Sequence, residues 1–176
     1  DKEVTLTVNK APLTVTAVNA SWLFGEESPE FELVYDGFVN DEDASVLTTP
    51  VSVFIPPVIG PGTYPIVLSG GEAANYEITL VNGTFTINKA PLIVTVVNAS
   101  RAYGEKNPEF PPVYDGFVNG EDSSVLTTPV SASTPATIES PPGEYPIELS
   151  GGEAPNYEIT LVNGTLTVVR QTPVIT

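Results

Sequence analysis

The residues best suited to chemistry are the carboxylates of an acidic run that occurs twice. The first copy reads DGFVNDED and the second reads DGFVNGED. Ca²⁺ binds about six to eight oxygen ligands, so oxygens at this density suggest a calcium site. The spacing is not that of an EF-hand loop, and helix capping with solvated acids is the interpretation we prefer. We therefore predict no metal site. The oxygen-bearing residues of the two runs are Asp36, Asn40, Asp41, Glu42 and Asp43, and Asp115, Asn119, Glu121 and Asp122.

Other catalytic groups are scarce. The chain has 176 residues and contains no cysteine, histidine or methionine. It lacks the usual general base, the thiolate nucleophile and every nitrogen or sulfur ligand for a metal ion. Counting alone does not exclude paired carboxylates for glycoside hydrolysis, but these need a cleft that a small β repeat rarely provides. We expect no enzymatic activity, no catalytic residues and no cofactor.

Four weaker patterns each have a structural explanation. Trp22 is suited to contact a sugar ring, but its counterpart is Arg101, so this surface varies between copies. We interpret Trp22 as a partly buried surface residue. Two of the three equivalent junction positions have a lysine, which suggests a Lys–Asn isopeptide crosslink. The third has an arginine, which cannot form that amide, so we prefer a salt bridge at the junctions. Threonine pairs suit the solvated face of a strand. Glycosylation sequons are mostly coincidental in a bacterial protein, and the Asn-Gly pairs among them are explained by turns. The positions are Lys10, Lys89 and Arg170 for the junctions, Thr5/Thr7, Thr14/Thr16, Thr84/Thr86 and Thr165/Thr167 for the pairs, and Asn19, Asn82, Asn98 and Asn163 for the sequons.

The composition indicates a folded, acidic chain. Apolar residues make up 41% and charged residues 16%, with six basic side chains and a net charge of −16. Such a surface repels phosphate backbones and anionic lipids, so neither nucleic-acid binding nor membrane insertion is expected. No apolar run approaches the roughly 20 residues of a membrane span. Folding without disulfides is common among bacterial surface repeats.

An internal repeat determines the predicted organisation. The segment APLTVTAVNAS at Ala11 returns as APLIVTVVNAS at Ala90, and VYDGFVNDEDASVLTTPVS returns with two changes. After a variable stretch, 53–60 against 132–140, the two copies match again to the sequence NGTFTI or NGTLTV. We predict repeat domains at 10–88 and 89–169. Residues 1–9 resemble the last strand of a preceding repeat, and 170–176 resemble the start of a following repeat or a tail.

Each copy is predicted to be mostly β. Residues 13–19 alternate as a strand, with Leu13, Val15 and Ala17 on one side. Asn82-Gly83 lies between two alternating runs and predicts a type I′ hairpin turn, as does Asn163-Gly164. The only helical candidate is short, at 40–47, with an Asn or Asp cap.

The junction between the copies is predicted to be stiff. Only Lys89, Ala90 and Pro91 separate the predicted strands, and the proline restricts both its own backbone and that of the preceding residue. Residues 10–88 carry ten acids and one base, and residues 89–169 carry ten acids and three bases. Neighbouring domains therefore repel each other, which favours an elongated, head-to-tail rod.

The repeated motifs resemble the bacterial MBG repeat of the YGX type, a β-grasp-like domain found in tandem in extracellular, adhesin-like proteins. The residues on which the resemblance rests are Tyr103-Gly104 with Asn107-Pro108, GFVNGED at 116–122, PPGEYPI at 141–147, and Asn156-Tyr157 with the NGTLTV ending. The first copy departs from the signature, with Phe24 for Tyr and Ser28 for Asn. The resemblance implies a β-sheet with at most one short helix, export, a spacer or adhesive role, and no catalytic residues.

We predict a structural stalk on a bacterial cell surface or in a secreted matrix, which projects a distal functional domain. Its partners would be adjacent copies of the same repeat. The alternative is an adhesin repeat that binds host glycan or glycoprotein weakly and gains strength from avidity.

Overall fold

The chain folds into two compact units that divide between Asn88 and Lys89. The structure, a computed structural model, describes residues 2–175. Within these residues each unit contains seven β-strands and a single turn of 3₁₀-helix, without any α-helix. The expected mostly β fold, with at most one short helix per domain, is confirmed.

The two units contain equivalent strands in the same order. The strands of the first unit are β1 (Ala11–Ala17), β2 (Ala20–Leu23), β3 (Leu33–Asp36), β4 (Leu47–Phe54), β5 (Gly62–Ala73), β6 (Tyr76–Val81) and β7 (Gly83–Asn88). Those of the second unit are β8 (Ala90–Val96), β9 (Ala99–Ala102), β10 (Pro112–Asp115), β11 (Thr128–Ser133), β12 (Gly143–Glu153), β13 (Tyr157–Val162) and β14 (Gly164–Val169). Residues 2–10 and 170–175 form no strand.

The strands of each unit form two mixed sheets. In the first unit β1 lies between β3 and β6, antiparallel to β3 and parallel to β6. The other sheet has the order β2-β7-β5-β4, in which β2 and β7 are parallel and the other neighbours are antiparallel. The second unit repeats this topology with the orders β10-β8-β13 and β11-β12-β14-β9. The fold thus places β1 and β8 at the centre of the smaller sheets.

The core of the first unit joins its two sheets. On β1, Leu13, Val15 and Ala17 are buried, as the alternation predicted. They cluster with Ile66 of β5 and Phe85 of β7, which belong to the other sheet. Burying these side chains removes apolar surface from water and supplies the main driving force for folding.

The predicted hairpin at Asn82-Gly83 is wrong. β6 pairs with β1, whereas β7 pairs with β2 and β5, so the two strands on either side of the turn are in different sheets. Neither residue is among those with positive φ, which a type I′ turn requires at both central positions. Asn82 instead crosses from one sheet to the other. Asn163-Gly164 does the same between β13 and β14, because the strand pairing is set by distant residues and not by the local turn signal.

The predicted helix at 40–47 is present only as one 3₁₀ turn, Ala44–Val46. Its cap is Asp43, whose carboxylate accepts a hydrogen bond from the backbone N–H of Ser45 at 2.8 Å. The chain cannot continue as a helix toward its N-terminus because Asn40 and Asp41 have φ values of 56° and 58°, in the left-handed region. The acidic run is therefore mostly loop.

Candidate functional site

Tyrosine holds the loop of the acidic run in both units. The Tyr76 hydroxyl donates to the Glu42 carboxylate and accepts a hydrogen bond from the Val39 N–H at 3.1 Å. The hydrogen bond to Glu42 raises the pKa of Tyr76. Tyr157 makes the same contacts with Glu121 and Val118, and there burial followed by the hydrogen bond raises its pKa. One carboxylate of each run is thus engaged by a phenol.

A second carboxylate of each run is a helix cap. Asp43 and Asp122 accept hydrogen bonds from the backbone of Ser45 and Ser124, each at 2.8 Å. Hydrogen bonding from these serines lowers the pKa of both aspartates. The lowered pKa indicates that the carboxylates are used as anions in the cap.

The remaining acids of the run do not converge. Asp36 lies at the end of β3, where it pairs with Thr14 of β1. Asp41 has φ of 58°, and its counterpart Gly120 has φ of 72°, so this position selects residues that tolerate a left-handed backbone. Within residues 2–175 no group of three or more Asp and Glu side chains is placed to hold a metal ion. The run thus contains one capping carboxylate and one phenol-bound carboxylate in each unit.

Removing divalent cations is expected to leave the thermal stability almost unchanged. A chelator should shift the melting temperature by less than about 2 °C, whereas saturating a real site at 100 times its dissociation constant would add about 2.7 kcal/mol. Differential scanning calorimetry with EDTA and with CaCl₂ measures this. A large upshift in calcium that disappears when Asp36 and Asp43 are both replaced with Asn would contradict the capping role.

The prediction that Trp22 is partly buried is confirmed, and the ring also takes part in the packing of its unit. The Trp22 ring is half-buried and stacks on Phe85, with ring centroids 5.1 Å apart and planes 10° from parallel. Phe85 also stacks on Tyr64 at 5.2 Å, so the three rings form one stack at the edge of the core. One face of the Trp22 ring is therefore used for packing on Phe85.

The counterpart Arg101 is also part of its unit's interior. It is only 5% exposed. Its Nε donates to Asn107 Oδ1 at 2.6 Å, and one terminal nitrogen donates to the carbonyl oxygen of Thr137 at 2.5 Å. Asn107 in turn donates to the carbonyl oxygen of Ala136 at 2.8 Å. The Asn of the predicted family signature therefore ties the variable stretch to the domain.

The first unit does not have the residues that make these hydrogen bonds in the second unit. The residue at the position of Asn107 is Ser28, whose hydroxyl donates to the neighbouring carbonyl of Pro29. The arginine is replaced by Trp22, and Leu166 of the second unit is replaced by Phe85. The variable stretch, its tethers and the packing beneath it therefore change together between the two copies, which sequence comparison alone did not reveal.

The asparagines of the sequons brace the two crossovers between sheets. Asn19 Oδ1 accepts a hydrogen bond from the Thr84 N–H at 2.8 Å, and Asn82 Oδ1 accepts one from the Leu68 N–H at 2.8 Å. Asn98 and Asn163 repeat these bonds in the second unit at 2.8 and 2.9 Å. These side chains replace hydrogen bonds that the backbone loses where it leaves a sheet.

The threonine pairs are divided between sheets. Thr14 and Thr16 lie on β1, whereas Thr84 and Thr86 lie on β7, in the other sheet of the unit. Thr86 pairs with Thr63 of β5 through their hydroxyls at 3.2 Å. This distribution gives short cross-strand contacts and not one continuous threonine array.

The junction lysine differs from its predicted role. Lys10 Nζ donates to the carbonyl oxygen of Ala73 at 3.2 Å, at the end of β5, in place of the expected carboxylate. The reason is local, because Ala11 pairs with Tyr76 and so brings Lys10 next to the β5–β6 connection. Equivalent open hollows of about 500 and 640 Å³ occur beside Lys10 and Lys89.

The architecture described so far is that of a tandem β-domain repeat. The chain matches the MBG domain (YGX type) family twice, over residues 13–86 and 92–167, and it belongs to that family. No curated protein matches the sequence. In the part of the chain that the structure describes, we find no helix with the length and apolar character needed to span a membrane.

Proposed function

We propose that this chain is a stalk segment of a secreted bacterial surface protein, and that it holds a distal functional domain away from the cell. The proposal includes an extracellular location and a role without catalysis. Its support is the tandem MBG match together with the way in which each unit holds the chain next to the junction.

The junction is anchored on both sides by central strands. β7 lies between β2 and β5, and the carbonyl oxygen of Asn88 accepts a hydrogen bond from Phe24 at 2.8 Å. β8 lies between β10 and β13, and the Ala90 N–H donates to Asn156 at 3.0 Å. Only Lys89 lies between these two bonds. A single residue leaves little conformational freedom compared with a Gly/Ser linker, which behaves as a random coil.

Small-angle X-ray scattering tests the stalk role. For the two-copy chain we expect an elongated particle that fits a narrow range of interdomain angles, because the junction is one residue long and both domains are acidic. The matched control inserts Gly-Ser-Gly-Ser between Asn88 and Lys89 and should broaden the range. A broad ensemble with folded-back pairs in the unmodified chain would show that the junction is a flexible tether.

Exposed apolar side chains before the first unit support further copies of the repeat. Leu6 and Val8 occupy the positions of Phe85 and Ile87 on β7, yet they are 86% and 85% exposed. Side chains of this kind are buried in both units, so we propose that residues 1–9 complete a preceding domain and that 170–176 lead into a following domain or a tail. Val4 stands where β7 has Gly83, so that preceding domain would cross between its sheets differently.

Weak ligand binding is the alternative function. The candidate ring for a glycan contact, Trp22, is stacked with one face on Phe85, and this favours the stalk. A glycan array probed with two and with six copies separates the two roles. A spacer gives no signal with either protein, whereas a signal that grows steeply with copy number would replace the stalk with an adhesin.

A further inference from the structure

One segment of the first unit, residues 44–71, has no charged side chain, and we call it the uncharged arm. The uncharged arm includes β4 and most of β5, and it contains no Asp, Glu, Lys or Arg. The equivalent part of the second unit carries Glu139, Glu144 and Glu148. In a chain with a net charge of −16, this uncharged arm is the surface on which two chains meet with the least electrostatic repulsion.

The uncharged arm also exposes large apolar side chains at its tip. Phe54, the last residue of β4, is 60% exposed, and Ile59 of the following loop is 94% exposed. Their surroundings in the second unit are polar, because Ser133 takes the place of Phe54 and the loop there is held by Arg101 and Asn107. Exposed apolar patches of this kind mark interaction sites in soluble proteins.

The backbone of β4 is free to pair. β4 ends its sheet in the order β2-β7-β5-β4, so within the described residues only one of its sides is paired in a sheet. Pro50 and the register shift near Thr49 protect the first half of this edge, as proline and bulges do in natural sheets. The second half, from Val51 to Phe54, has neither a charge nor a proline. Edges of this kind pair with other strands.

We propose that the β4 edge of the first unit is a homotypic interface, at which the same edge of a second copy of this chain adds in antiparallel fashion. The isologous arrangement places Phe54 and Val53 of each chain against the uncharged arm of the other. The partner is a second copy because a neutral, apolar strand edge is complementary to itself, whereas the rest of the acidic surface repels another copy. In the second unit β11 is also an edge strand, but Ser133 replaces Phe54 and the following segment carries Glu139, Glu144 and Glu148, so this edge does not take part.

Sedimentation velocity of the full chain tests the interface. Across loading concentrations from about 1 µM to about 1 mM we expect a reversible shift from monomer to dimer. Added NaCl should strengthen the dimer, because salt screens the repulsion between acidic chains and leaves apolar contacts intact. A chain that stays monomeric over this range, or a dimer that salt dissociates, would overturn the proposal.

Matched variants locate the interface. Phe54→Glu should raise the apparent dissociation constant of the dimer by at least about tenfold, since it places a charge in an apolar interface. Ser52→Lys, at an exposed position of the same edge, should weaken the dimer as well. The controls Ser133→Glu and Ser131→Lys, at the equivalent positions of β11, should leave the dissociation constant unchanged.

Circular dichroism shows whether each variant remains folded, and the two exposed positions of β4 provide independent tests. Equal effects of Phe54→Glu and Ser133→Glu, or no effect of either β4 variant on a real dimer, would place the interface elsewhere and refute the proposal. The stalk role is tested separately, by scattering from dilute monomer, and does not depend on this result.

Discussion

Replacing Trp22 with arginine, the residue of the second copy, is expected to destabilise the first unit by about 2–4 kcal/mol, somewhat less than the loss of a fully buried aromatic side chain because Trp22 is half-buried. The substitution removes the stack of Trp22 on Phe85, whose ring centroids are 5.1 Å apart. It also brings a guanidinium to a place where Ser28 stands in the position of Asn107. Even partial burial of a charge is costly where the protein supplies no matching hydrogen-bond acceptor.

Urea unfolding of the full chain followed by circular dichroism measures this loss. The reciprocal variant Arg101→Trp should cost a comparable amount in the second unit, because Asn107 Oδ1 and the Thr137 carbonyl oxygen lose their donor. The control Ser21→Arg changes an exposed neighbour and should stay within about 0.5 kcal/mol of the unmodified protein. A Trp22→Arg variant as stable as this control would mean that the ring stack contributes little.

Replacing Gly83 with alanine is expected to lower the unfolding free energy of the first unit by about 1–3 kcal/mol, as overpacking does. A Cβ at this position would lie 2.7 Å from the carbonyl oxygen of Ala17, where the two crossovers between the sheets run side by side. Neither main chain can retreat, since Asn19 and Asn82 brace both crossovers with hydrogen bonds. At Gly164 of the second unit, the same Cβ would lie 2.9 Å from Val96.

The fluorescence of Trp22 measures the unfolding of the first unit in urea, because the only tryptophan in the sequence lies in that unit. Gly143→Ala in the second unit is the control, since its Cβ would have no neighbour closer than 4.0 Å. Circular dichroism, which detects both units, measures the unfolding of this control. We expect this change to be neutral within about 0.5 kcal/mol. If Gly83→Ala is equally harmless, the crossovers have room to separate and the close approach is not a constraint.

Much of the fold could be predicted because its signals are local or repeated. Alternation of apolar residues placed Leu13, Val15 and Ala17 on a buried face, and the register of the repeat identified two copies of one family domain. The absence of a long helix was predictable for the same reason, since no helical periodicity extends beyond 40–47. Even the cap Asp43 lay within the predicted run, because Asp before a short turn accepts backbone hydrogen bonds in most contexts.

The errors share one physical cause. Asn82-Gly83 carries a strong hairpin signal, yet β6 pairs with β1 and β7 pairs with β5 and β2, all from distant parts of the sequence. The turn residues determine what the backbone can do locally, whereas the burial of whole sheet faces decides which strands become neighbours. The local preference was therefore overridden by tertiary pairing.

The sequence by itself determined the family, the two-fold repeat, the β class and the acidic charge, since these follow from composition, period and motif. Only the tertiary structure decided that Trp22 and Arg101 are alternative solutions to packing at one equivalent position. It also decided that the acids of the repeated run are separated into a cap, a phenol contact and loop positions. Both decisions depend on which side chains the two sheets bring together, and that depends on contacts between residues far apart along the chain.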